Sequence, residues 1–139
     1  MNKKILLITS ILMIPSMAIS DAFVPNFDDM KNLRCDFEET VYDSNNTQVS
    51  ISKQHRLYRI DAPYYKIYNN REPIDHVTYF GSDKIEFDLQ SMNDESITMS
   101  HTLIDLINGK YSSSAEITYD NEVFGVQRSK SSGVCKFLN

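Results

Sequence analysis

Hydrophobic and polar residues alternate with period two through much of the chain, the mark of strands that keep one face buried and the other wet. Leu33, Cys35, Phe37 and Val41 alternate with Arg34, Asp36, Glu38 and Thr40. Val49 and Ile51 alternate with Gln48, Ser50 and Ser52, and Ile85, Phe87 and Leu89 with Lys84, Glu86 and Asp88. Tyr111, Ala115, Ile117 and Tyr119 alternate with Ser112, Ser114, Glu116 and Thr118. Each stretch predicts a half-buried antiparallel strand.

Turn signals rich in Asn, Asp, Gly and Ser separate such runs at 43–46, 69–73, 81–83, 92–95, 108–109 and 120–122. Asn108-Gly109 predicts a two-residue type I′ hairpin, because both residues tolerate positive φ. The pattern is an all-β antiparallel meander of about eight strands. One short helix is expected over 26–32: Asn26 can cap it, and Asp28 and Asp29 suit the positive end of its dipole. Phe27 and Met30 would share its inner face and plug one end of the sheet. Residues 102–107 read equally as strand or helix.

The ends of the chain add compartment and closure. Residues 1–20 read as a signal peptide, with Lys3 and Lys4 before an apolar run from Ile5 to Ile14 and Ala18-Ile19-Ser20 at the cleavage site. Cleavage before Asp21 leaves one domain, 21–139, which has no later apolar segment long enough to span a membrane. Export places Cys35 and Cys135 in an oxidising compartment, where a disulfide is the simplest outcome. Without Cys-x-x-Cys spacing or a nearby ligand cluster, a redox or zinc role is unsupported. A disulfide requires Cα atoms within about 7 Å, so the first and last strands must be neighbours. A small closed or half-open barrel meets that requirement and removes exposed sheet edges; a β-sandwich is the alternative.

Charge narrows the partners. The leader holds two of the 14 basic residues and none of the 19 acids, so its removal takes the formal charge from −5 to −7. Such a chain is repelled by nucleic acid and by anionic membranes, and attracts cationic partners. Residues 53–71 depart from this average, with Lys53, Arg56, Arg59, Lys66 and Arg71 against the single acid Asp61. Tyr58, Tyr64, Tyr65 and Tyr68 are interleaved with them. Tyr58, Arg59, Tyr65, Tyr68 and Arg71 are therefore the candidate ligand-binding platform, built from rings that stack and cations that contact anions. The competing reading has the tyrosines packing and the basic groups offsetting nearby carboxylates.

Catalytic and cofactor signatures are missing. His55, His76 and His101 lack His-x-His or Glu-x-x-His spacing, so no metal site is expected; His101 is expected to point inward near Asp105. There is no Gly-x-Ser-x-Gly elbow and no phosphate-binding glycine loop, and only four glycines occur. Ser112 to Ser114 read as a strand face, and Ser129, Ser131 and Ser132 as a hairpin loop.

The segments Ile97 to His101, Asn108-Gly109-Lys110-Tyr111 and Gly133-Val134-Cys135 resemble a pattern of small exported bacterial all-β proteins of unknown function that end in a Gly-x-Cys strand. The resemblance covers about 40 residues of the C-terminal third and implies a scaffold, with no catalytic residue. A secreted barrel fastened by a terminal disulfide is also similar to periplasmic lysozyme inhibitors. The expected function is a noncatalytic periplasmic or secreted bacterial binding protein whose partner is a glycan or a cationic protein. The alternative is an inhibitor of a cationic secreted enzyme such as a lysozyme.

Overall fold

The computed structural model describes residues 25–121 and 125–138. The expected leader and its cleavage site lie outside these residues. Nine strands form one antiparallel sheet: β1 (Lys31–Tyr42), β2 (Gln48–Asp61), β3 (Lys66–Asn69), β4 (Glu72–Pro73), β5 (His76–Phe80), β6 (Lys84–Met92), β7 (Ser96–Asp105), β8 (Lys110–Tyr119) and β9 (Val126–Leu138). Their spatial order is β4-β3-β2-β1-β9-β8-β7-β6-β5. This is the meander with its first and last strands paired, curled into a half-barrel whose opening lies mid-chain between β4 and β5. With a single sheet, the sandwich is set aside.

The opening is where the chain places it. Every pairing is antiparallel, so β4 and β5 run the same way and cannot form a hairpin with each other. Pro73 lacks the N–H that a further strand would need, and Ile74 turns into the core, its amide donating to the Ile67 carbonyl at 3.0 Å. Tyr65, left-handed at φ 55°, sets its ring edge-to-face against Phe80 of β5, with 5.7 Å between centroids.

Cys35 and Cys135 are direct cross-strand partners in the β1/β9 ladder, bonded to each other with Cα atoms 4.0 Å apart. On the same inner face, Leu33, Phe37, Tyr58, Ile60, Ile67, Ile85, Phe87, Ile104 and Tyr111 form the core with the disulfide. Phe37, Gly133 and Tyr111 occupy one register row on β1, β9 and β8. The two rings stack over the glycine at 4.6 Å, and a Cβ on Gly133 would come within 2.1 Å of the Asp36 carbonyl. The Gly-x-Cys segment thus makes room for the stack and carries the disulfide.

Several expectations are corrected. Val49 and Ile51 are exposed, because the register sets Ile51 opposite Thr40 on the outer face of the β1/β2 hairpin. The expected helix over 26–32 is a single 3-10 turn at Phe27–Asp29, capped by Asn26 Oδ1 accepting from the Asp28 amide, and β1 begins at Lys31. Residues 102–107 are the end of β7 and its turn. That turn has no type I′ geometry, since only Gly109 has positive φ. The Gly109 amide instead reaches the Asp105 carbonyl, and Asp105 Oδ1 accepts from the Ile107 and Asn108 amides at 2.9 Å each. Ser129, Ser131 and Ser132 lie in β9 rather than in a loop, the first two buried.

Candidate functional site

Strand register divides the five expected platform residues between two faces and an edge. Tyr58 faces inward, fully buried against Phe87 with 5.7 Å between ring centroids. Its hydroxyl faces Tyr111 and Arg56 without meeting full hydrogen-bond geometry among the described residues, and burial above all pushes its pKa well above the usual tyrosine value. Tyr65 stands at the mid-chain opening with its ring against Phe80. Arg59 and Tyr68 are partners across β2 and β3 on the outer face, and there the structure brings them together with Arg71.

The residue that gathers them is Phe27. Its ring meets Tyr68 edge-to-face at 5.2 Å, and the guanidinium carbons of Arg59 and Arg71 lie 5.1 and 5.8 Å from its centroid. Such cation–π contacts are worth about 0.5–1 kcal/mol each at exposed sites. Neither arginine has an ion-pair partner among the described residues. Tyr68 is 3% exposed; burial first, and Asp61 second, raise its pKa, so its hydroxyl remains a neutral donor. Beside it, Arg59 Nε and Asn32 Oδ1 belong to cross-strand neighbours and are both buried without hydrogen-bond partners among the described residues. The sequence pattern points to Arg59, Tyr68 and Arg71 but places Phe27 on the inner face; Met30, three residues on, is the buried one.

A second constellation was hidden by sequence distance. His101 lies on the outer face, opposite Asp88 rather than near Asp105, and its Nδ1 is 2.6 Å from Asp88 Oδ1. The inward expectation failed because Ile97 and Met99, which share its parity, also face outward, with Met99 60% exposed. The same register row runs from His76 on β5 through Asp88, His101 and Ser114 to Lys130 on β9 and Thr40 on β1. Two histidines thus flank one carboxylate, yet no group of three or more potential ligands among the described residues can hold a metal. Ser114 faces His101 with no hydrogen bond between them, so the row presents donors and acceptors without a formed nucleophile–base pair. A groove of about 560 Å³ contains His76, Asp88, His101, Ser114 and Lys130.

Comparison with protein-family models, with curated proteins and with solved structures finds no match for this chain.

Proposed function

We propose that this protein is an exported, noncatalytic binding protein that takes an anionic ligand at Phe27, Arg59, Tyr68 and Arg71. One observation carries the reading: two guanidinium groups without ion pairs among the described residues converge on a single aromatic ring in a chain of formal charge −5. A guanidinium offers a planar fork to carboxylate, phosphate or sulfate oxygens, and the Tyr68 hydroxyl supplies a neutral donor. A disulfide suits an extracytoplasmic compartment, and no helix among the described residues is long and apolar enough to cross a membrane.

The test is titration with inorganic phosphate and with acetate, followed on the arginine side-chain resonances. Arg59→Lys with Arg71→Lys keeps both charges and removes both forks, so it is expected to weaken binding at least tenfold while the melting temperature stays near wild type. Equal binding by this variant would refute the assignment. The inhibitor reading is favoured by the acid excess, 19 acidic residues against 14 basic. It predicts inhibition of a lysozyme at low salt that disappears at high salt.

A further inference from the structure

The groove holding His101 continues into a second one, of about 420 Å³, that shares His101, Ser114 and Lys130 with it and reaches Glu38 and Thr40 on β1. Together they form a trough that crosses the strands at right angles on the outer face. From β5 to β1 it covers six adjacent strands, five steps of strand spacing or roughly 24 Å. It lies at the opposite end of β1 from the Arg59 cluster, since Thr40 is eight residues beyond Asn32.

The lining mixes hydroxyl and charged groups with apolar surface, and its acids are mostly matched. Asp88 is held by His101 at 2.6 Å, and Glu116 by its cross-strand partner Arg128 at 3.5 Å. Lys130 sits within the row with no ion pair among the described residues. The hydroxyls of Ser114 and Thr40 beside it, and of Ser132 on the same strand, make no side-chain hydrogen bond among the described residues. The large apolar residues of the lining are Met99, which is exposed, and Leu89, which packs against the core.

These features select a class of ligand. An extended peptide recognised by strand addition needs a free sheet edge, whereas β6, β7, β8, β9 and β1 are paired on both sides. Nucleic acid needs a cationic track, and here one unpaired lysine stands beside carboxylates. A linear chain of hydroxyl-rich units with occasional carboxylates matches a row of unpaired hydroxyls around one ammonium. We propose that the outer-face trough binds a linear acidic glycan laid across the strands, with Lys130 on a carboxylate and Ser114, Ser132 and Thr40 on sugar hydroxyls.

Hyaluronan oligosaccharides of up to eight units, which carry a carboxylate on alternate sugars, test this, with free glucuronate as the monomer and cellohexaose as the neutral control, by calorimetry and by amide shift mapping on the full protein. Affinity is expected to rise with length and level off near five or six units, with shifts confined to the trough. Lys130→Gln should weaken binding of the hexamer about tenfold, and Ser114→Ala with Thr40→Ala should weaken it further. Arg59→Lys with Arg71→Lys should leave it unchanged, which separates this site from the anion site proposed above. Monomer binding as tight as hexamer binding, equal affinity for cellohexaose, an unaffected Lys130→Gln variant or the absence of shifts in the trough would each overturn the proposal.

Discussion

Gly133 shares a register row with the stacked Phe37 and Tyr111 rings, and the β1 backbone occupies the space where its side chain would be. A methyl group there meets backbone on β1, namely the Asp36 carbonyl and Phe37 Cα at 2.1 and 2.5 Å, so no side-chain rotation relieves the clash. Gly133→Ala is expected to cost about 1–3 kcal/mol in urea denaturation, the range for overpacking a core. The two tyrosines of the β3 region should separate cleanly. Tyr68→Ala empties a site that is 3% exposed and should cost about 3–5 kcal/mol, whereas Tyr65, 69% exposed, should lose under about 1 kcal/mol. Similar losses at both positions would contradict this partition of the rings. Asp105 supplies a pH signature. Hydrogen bonds from the Asn108 backbone and then its side chain hold the Asp105 carboxyl below its ordinary value. Its contribution is therefore complete above the unfolded carboxylate range near pH 4 and fades as pH falls through the lower folded value. The melting-temperature gap between wild type and Asp105→Asn should be largest at neutral pH and narrow below about pH 4. A gap independent of pH would mean that the charge does not hold the turn.

At the scale of elements, the long β1/β2 hairpin carries its apolar tip residues away from the core. Val49 and Ile51 are 54% and 52% exposed, so changing both to Thr should shift stability by no more than about 0.5 kcal/mol each. Ile85, fully buried in the core on β6, should lose about 2–5 kcal/mol as Ala in the same assay. Alternation alone treats these two strands as equals. It was sufficient for β1, β6 and β8, where Leu33, Cys35, Phe37, Ile85, Phe87 and Tyr111 are buried as their parity requires. For β2 and β7 it failed, because a strand with apolar residues on both parities does not declare which face meets the core. Thus parity alone places His101 with Ile97 and Met99 on the inside, while Thr102 and Ile104 fill that position. Composition locates the turns after β1, β3, β5, β6 and β7 but not the one at 62–65 between β2 and β3, and turn geometry comes from longer-range bonds. Gly109 accepts from the Cys135 amide at 2.7 Å, a contact made only once β9 has returned beside β8.

The whole molecule depends on joining strands that are 100 residues apart in sequence. Loop-closure entropy gives the Cys35–Cys135 bond up to about 4.7 kcal/mol, and native disulfides of small secreted domains usually contribute about 2–5. Cys35→Ala with Cys135→Ala should therefore lower stability by several kcal/mol without altering the strand order, which amide exchange on β1 and β9 would report. The amino-acid sequence by itself determined the strand class, most turn positions, the partnership of two cysteines and the nearness of the chain ends, because periodicity, turn chemistry and a single possible pairing are local or countable properties. The opening between β4 and β5, the gathering of Arg59 and Arg71 on Phe27 and the row from His76 to Thr40 were decided by tertiary structure. Each depends on cross-strand register between segments distant in sequence, and register follows from packing the whole sheet at once, since a one-residue slip moves every side chain to the other face.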